Sequence, residues 1–274
     1  MQESNMNRVK ENIRFYLPAI IDIVGDTDFG WERIDKLFSE ELIKRTAKAN
    51  DNCGTWTIQA TIYDIIIEAK KQNLEAMRLL SFFQRLLEEL SMNLTAEEKK
   101  IIRKNIRDFL TRFDVRYLDY VGELAVINNL IKSKIYRLEN VETKLASEKR
   151  IDFKIKKTND GKLYLVEVLN IHLDSEKVES DEEKIKIFLN HRLAKKVESK
   201  KSDTDFFLVP VLWGGWQDIK VYSDYFKRNK MHLTNVLEPV AYATFADPKN
   251  ETFYLHRFGN VSNLFESVNL MMDE

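Results

Sequence analysis

A chain of 274 residues is long enough for one large domain or two ordinary ones. A formal charge of −1 excludes a strongly basic nucleic-acid coat over the whole molecule, and a single cysteine, Cys53, excludes an internal disulfide, a four-cysteine zinc site and an iron–sulfur cluster. With 8 glycines and 4 prolines the composition favours long helices over a turn-rich all-β fold.

The polar N-terminus, MQESNMNRVKENIRFYLP, lacks the apolar core of a signal peptide, and no run approaches the roughly 20 apolar residues of a membrane span. The expected setting is the cytoplasm, with no membrane partner. Residues 8–24 repeat apolar side chains at three and four (Val9, Ile13, Leu17, Ile20), which predicts a helix that Pro18 kinks or splits. GDTDFG (25–30) is a turn. Helices are expected over 31–49, 57–71 and 74–92. Thr95 followed by Glu98 is a capping box that opens a helix through about Phe109. Residues 1–112 therefore form an all-helical region. Its charges balance, and it carries neither a phosphate-binding loop nor a basic recognition helix. Two readings suit it: a protein-interaction or dimerisation module, or a lid over the following sheet.

The second domain, 113–274, opens with a long helix in the stretch 112–145, and then the period drops to two. RIDFKIKK (150–157) alternates, with Ile151, Phe153 and Ile155 on one face and Asp152, Lys154 and Lys156 on the other. TNDG (158–161) is a hairpin turn. KLYLVEVLNI (162–171) is apolar enough to be buried on both faces. An acidic loop follows (173–183). Ser180 with Glu183 caps a helix to about Ser199 that turns Ile185, Phe188, Leu189, Leu193 and Val197 inward. DFFLVPVLWGG (205–215) is a buried strand ending in a glycine turn. Residues 239–246 and 252–259 make a hairpin around DPKN, and a short helix closes the chain. The expected fold is α+β: a helical region, then an α-β-β-α-β core with a mixed central sheet.

A carboxylate inside an apolar strand is costly unless something compensates it, and Glu167 lies in such a strand. Asp152 lies on the neighbouring strand across the hairpin. Two carboxylates on adjacent strands suit one hard divalent cation, Mg²⁺ or Mn²⁺. Asp152 also reads as a surface residue paired with Arg150 or Lys154. Lys184, Lys186, His191, Arg192, Lys195 and Lys196 fall on one helix, either to track phosphates or simply as a solvated face. WGGW (213–216) reads as a base-stacking edge or as core packing at a strand end.

This order of elements resembles the PD-(D/E)XK nuclease superfamily, whose pattern is a helix glutamate, a strand aspartate, a strand with Glu-x-Lys, then a helix and a strand. Glu123 in DYVGELAVINNLI, Asp152 in RIDFKI and Glu167 in LVEVLNI match the three acids, over about residues 115–215. The resemblance implies metal-dependent hydrolysis of DNA or RNA phosphodiesters. Asp152 and Glu167 would hold the metal and Glu123 would orient a water. By analogy it implies a role in defence against foreign nucleic acid. Two departures stand out: no proline precedes Asp152, and the lysine position is Leu169. Leucine can neither activate water nor stabilise negative charge. The replacement candidates are Lys154 on the Asp152 strand and Lys195 or Lys196 on the following helix. The alternative is an inactive nuclease-like scaffold that works with a protein partner. On its own chemistry Glu123 also reads as an ordinary solvated helix residue, and His172 and His191 as plain hydrogen-bonding side chains.

Overall fold

The computed structural model describes residues 8–47, 61–145, 148–173, 181–199, 206–228, 240–247 and 250–260. The protein is α+β: an all-helical N-terminal region is followed by a mixed sheet. Its contacts divide the chain into two compact units, Met1–Asn128 and Asn129–Glu274. The change of character read at 112/113 and this division inside a helix are thus separate positions on the chain.

The first unit holds α1 (Arg8–Tyr16), α2 (Pro18–Val24), α3 (Trp31–Ala47), α4 (Ile62–Lys70), α5 (Leu74–Asn93), α6 (Ala96–Ile101), α7 (Arg103–Thr111) and most of α8 (Tyr117–Lys132). Pro18 splits the first helix because it has no N–H to donate, and it stands in the first turn of α2, where none is needed. Gly25 and Gly30, with φ of 78° and 82°, bound the predicted turn in the left-handed region that glycine tolerates. Leu79, Leu80, Phe83, Leu87 and Leu90 give α5 its buried stripe. Phe83, Phe109 and Tyr117 pack ring against ring, with centroids 5.7 to 6.3 Å apart.

The capping box at Thr95 is present in both directions: the Thr95 N–H donates to Glu98 Oε2 at 2.7 Å, and the Glu98 N–H donates to Thr95 Oγ1 at 3.3 Å. A turn at Ile102 divides the single helix expected there into α6 and α7. Thr95→Ala removes one half of the box, and a loss of about 1 kcal/mol is expected in urea denaturation.

The second unit is a six-stranded sheet in the order β1 (Tyr136–Lys144), β2 (Arg150–Lys157), β3 (Leu163–His172), β4 (Phe206–Gly215), β5 (Val240–Asp247), β6 (Asn250–Asn260). The first three strands form an antiparallel meander. β4 and β5 add in parallel, and β6 closes antiparallel. The parallel steps require crossovers, supplied by α9 (Glu182–Ser199) and α10 (Trp216–Arg228).

The core is therefore α-β-β-β-α-β, with one strand more than expected. β1 escaped the pattern because it is a charged edge strand: in YRLENVETK only Leu138 is buried, and the register slips between Leu138 and Asn140. Charges and bulges of this kind protect an exposed edge from pairing with another chain. α10, which follows directly on Gly215, is an element beyond those expected from the sequence. Ile219, Tyr222 and Tyr225 recur at three and are buried, which is the helical signal there. The α9 cap is Asp181, whose Oδ1 accepts from the Glu183 and Lys184 N–H groups at 2.9 and 3.2 Å. Ser180, the acidic stretch 174–180 and the closing helix lie outside the described residues. No described helix is long and apolar enough to cross a membrane.

The hairpin turn closes as predicted, with Gly161 at φ 71°. Opposed residues of an antiparallel pair share a face, and Lys154 opposes Leu165. Leu165, Ile171, Leu208 and Leu212 then cluster with Ile185, Leu189 and Leu193, so α9 covers that face over β3 and β4. Phe153, Ile155, Val166, Val168 and Trp213 are buried as well. For WGGW the packing reading holds at Trp213: it is 2% exposed, and its Nε1–H donates to Asn170 Oδ1 at 2.7 Å.

Candidate functional site

Glu167 is 1% exposed, in the middle of the buried run Leu165–Val168. A carboxylate there needs a counter-charge or hydrogen bonds to offset its lost hydration. Helical spacing delivers one. Ile185, Leu189, Leu193 and Lys196 follow one another at four, four and three along α9, so Lys196 continues the stripe that packs on the sheet. Its Nζ lies 2.6 Å from Glu167 Oε1. The lysine side chain is 31% exposed, so the pair is buried at the carboxylate and reaches water at the ammonium.

Asp152 reaches the same stretch of β3 from the neighbouring strand. The β2–β3 ladder runs from Lys156 opposite Leu163 to Phe153 opposite Val166. The ladder ends at that pair. Beyond it the half-buried Asp152 carboxylate accepts the Val168 N–H through Oδ2 at 2.6 Å. A charge-assisted bond this short fixes the carboxylate against β3. Two oxygen-bearing groups on adjacent strands, one of them oriented by a backbone amide, suit Mg²⁺, which takes one or two carboxylates and keeps waters or substrate oxygens for the rest. Among the described residues no group of three or more His, Cys, Asp or Glu side chains is gathered around a common metal position.

The other candidates fall elsewhere. Lys154 is half-buried on the Asp152 face of β2, and Lys195 is exposed on α9; neither makes an ion pair with a described residue. Glu123 lies in the first unit, where its Oε2 accepts from Asn105 Nδ2 at 2.6 Å. Lys184, Lys186, His191 and Arg192 are exposed. Lys186 faces Glu183 at 3.4 Å, and the Arg192 guanidinium lies 5.6 Å from the centre of the Phe188 ring. His172 is exposed beside Trp213. Leu169 packs against the apolar cluster under α9.

The structure thus pairs Lys196 with Glu167 and ties the Asp152 carboxylate to the backbone of the next β3 residue, Val168. Lys196 is one of the replacement candidates read from the sequence, there undistinguished from its neighbour Lys195. Counting from Ile185 in helical steps would have separated it from Lys195, about 100° around the helix. No protein-family model, no curated protein and no solved structure matches this chain.

Proposed function

We propose that the second unit is a metal-dependent phosphodiesterase core acting on DNA or RNA, in which Lys196 takes the place of the lysine that Leu169 displaces. The observation that carries this reading is the Lys196 ammonium on the buried Glu167 carboxylate, beside an Asp152 held by a backbone amide. A divalent cation, Mg²⁺ or Mn²⁺, would be held by Asp152 and Glu167. Bound there it supplies polarisation of a phosphoryl oxygen and a more acidic water. Lys196 contributes a positive charge beside the phosphate, anchored on the buried Glu167 carboxylate. The Val168 N–H holds the Asp152 carboxylate against β3, one residue along from Glu167. We place this activity in the cytoplasm, in defence against foreign nucleic acid, with the helical unit recruiting a protein partner or a second copy.

One observation favours a second reading. Leu169 is packed on the apolar cluster, as expected if the position has been given over to packing and the core now serves as a binding scaffold. In that case the Lys196–Glu167 pair only neutralises a buried charge.

Hydrolysis separates the two. Wild-type protein is incubated with single- and double-stranded DNA and RNA in Mg²⁺ or Mn²⁺, beside Asp152→Asn and Glu167→Gln. The nuclease reading expects cleavage that falls by at least about a hundredfold in each variant. Cleavage that survives both substitutions removes these residues from the site. Absence of cleavage on every substrate, together with no stabilisation by either cation, selects the scaffold.

A further inference from the structure

The overall charge of −1 hides a strong local bias. Residues 132–138 and 154–164 carry seven basic side chains and one acidic one, Asp160. The fold gathers both segments at one end of the sheet. The Thr158 N–H donates to the Ile135 carbonyl at 2.8 Å, which ties the β2–β3 turn to the start of β1.

Three aromatic rings lie across the strands at this end, and all are half-buried where the neighbouring Phe153 is fully covered. Tyr164 and Phe207 are stacked, with centroids 4.9 Å apart and planes 19° apart. Tyr136 meets Tyr164 edge-on at 6.1 Å. The Lys162 ammonium sits 5.2 Å from the centre of the Tyr164 ring. β5 pairs with β4 only from Val211 onward, so around Phe207 no further strand borders β4 among the described residues. Tyr164 and Glu167 are three residues apart on one strand, so strand alternation puts them on opposite faces.

From this we infer that the strip Tyr136–Tyr164–Phe207, with Lys157 and Lys162 on the same face, binds single-stranded nucleic acid. A base extends the Tyr164–Phe207 stack at its Phe207 end, and the lysines take the flanking phosphates. Stacking needs an unpaired base with a free face, and the clustered positive charge needs a polyanion; a single strand supplies both. A duplex keeps its base faces covered, and an acidic peptide offers no succession of flat rings. The inference does not depend on hydrolysis at Glu167, because the surface lies on the other face of β3.

The test is fluorescence anisotropy of labelled oligothymidylate and oligouridylate with the full chain in EDTA, over a salt series. Duplex DNA and heparin serve as competitors. The single strand is expected to bind more tightly than the duplex. Lys157→Glu with Lys162→Glu is expected to weaken binding about tenfold or more and to reduce the salt slope by about 1.4. Phe207→Leu is expected to weaken it about tenfold with the slope unchanged, its fold checked by circular dichroism. Glu167→Gln is expected to bind as the wild type does. The inference is overturned by no binding to any single strand. It is overturned equally if heparin and duplex bind as tightly as the oligonucleotide and Phe207→Leu changes nothing, which is charge alone. Loss of binding in Glu167→Gln would move the contact to the carboxylate site and overturn it too.

Discussion

Lys196→Ala is expected to lower the unfolding free energy by about 3 kcal/mol, one of the largest losses any surface-reaching residue of this chain should give. Glu167 is 1% exposed and its Oε1 has the Lys196 ammonium at 2.6 Å. Truncating the lysine leaves a buried carboxylate without that charge. The figure is set at the low end of the range for broken buried pairs because the lysine is 31% exposed and water can enter from its side. Two companions make the prediction specific. Glu167→Gln in the Lys196→Ala background removes the stranded charge and is expected to restore most of the loss. Lys196→Met with Glu167→Leu replaces the pair by apolar groups of similar size and is expected to be near neutral or stabilising. The measurement is urea denaturation at constant slope, so that a shift in midpoint reports stability. If Lys196→Ala unfolds within about 0.5 kcal/mol of the wild type, the pair does not stabilise the unit, and its place in the site is lost with it.

The same pair shows what was legible beforehand. A charge inside LYLVEVLNI is conspicuous because the alternatives at a core position are apolar, so Glu167 could be singled out from its neighbours alone. Its partner could not be chosen so directly. Lys195 and Lys196 are adjacent in sequence but differ in which side of α9 they leave, and only the phase set by Ile185, Leu189 and Leu193 resolves them. The helical region and the strands β2, β3 and β4 were visible for the same reason: long apolar periodicities carry their own phase. β1 was not, because an edge strand buries almost nothing and is kept charged against misassociation. The aromatic strip was invisible for a different reason. Tyr136, Tyr164 and Phe207 belong to three strands, and only the register of the sheet brings their rings together.

Moving the ammonium from the helix back to the strand tests whether its position or its mere presence matters. Leu169 follows Glu167 by two residues, so a side chain there leaves β3 on the same face, about 6.7 Å farther along the strand. It packs on the apolar cluster under α9, and a lysine can keep much of that contact through its methylenes while its head reaches outward. In a nuclease, Lys196→Met is expected to lower cleavage by about a hundredfold. Adding Leu169→Lys to it is expected to return at least about tenfold of the lost rate, since the charge again stands beside Glu167. Leu169→Lys alone is expected to be destabilising by about 1–3 kcal/mol, because it brings a second ammonium to a place already neutralised. Single-turnover cleavage and urea denaturation on the same four proteins read both quantities. Rate and stability recovering together in the double variant would fit a lysine that acts on substrate from either position. Stability recovering with no cleavage in any of the four, the wild type included, would leave the pair as a structural neutraliser and select the scaffold. Cleavage in the wild type that is indifferent to Lys196→Met would remove the lysine from the reaction altogether.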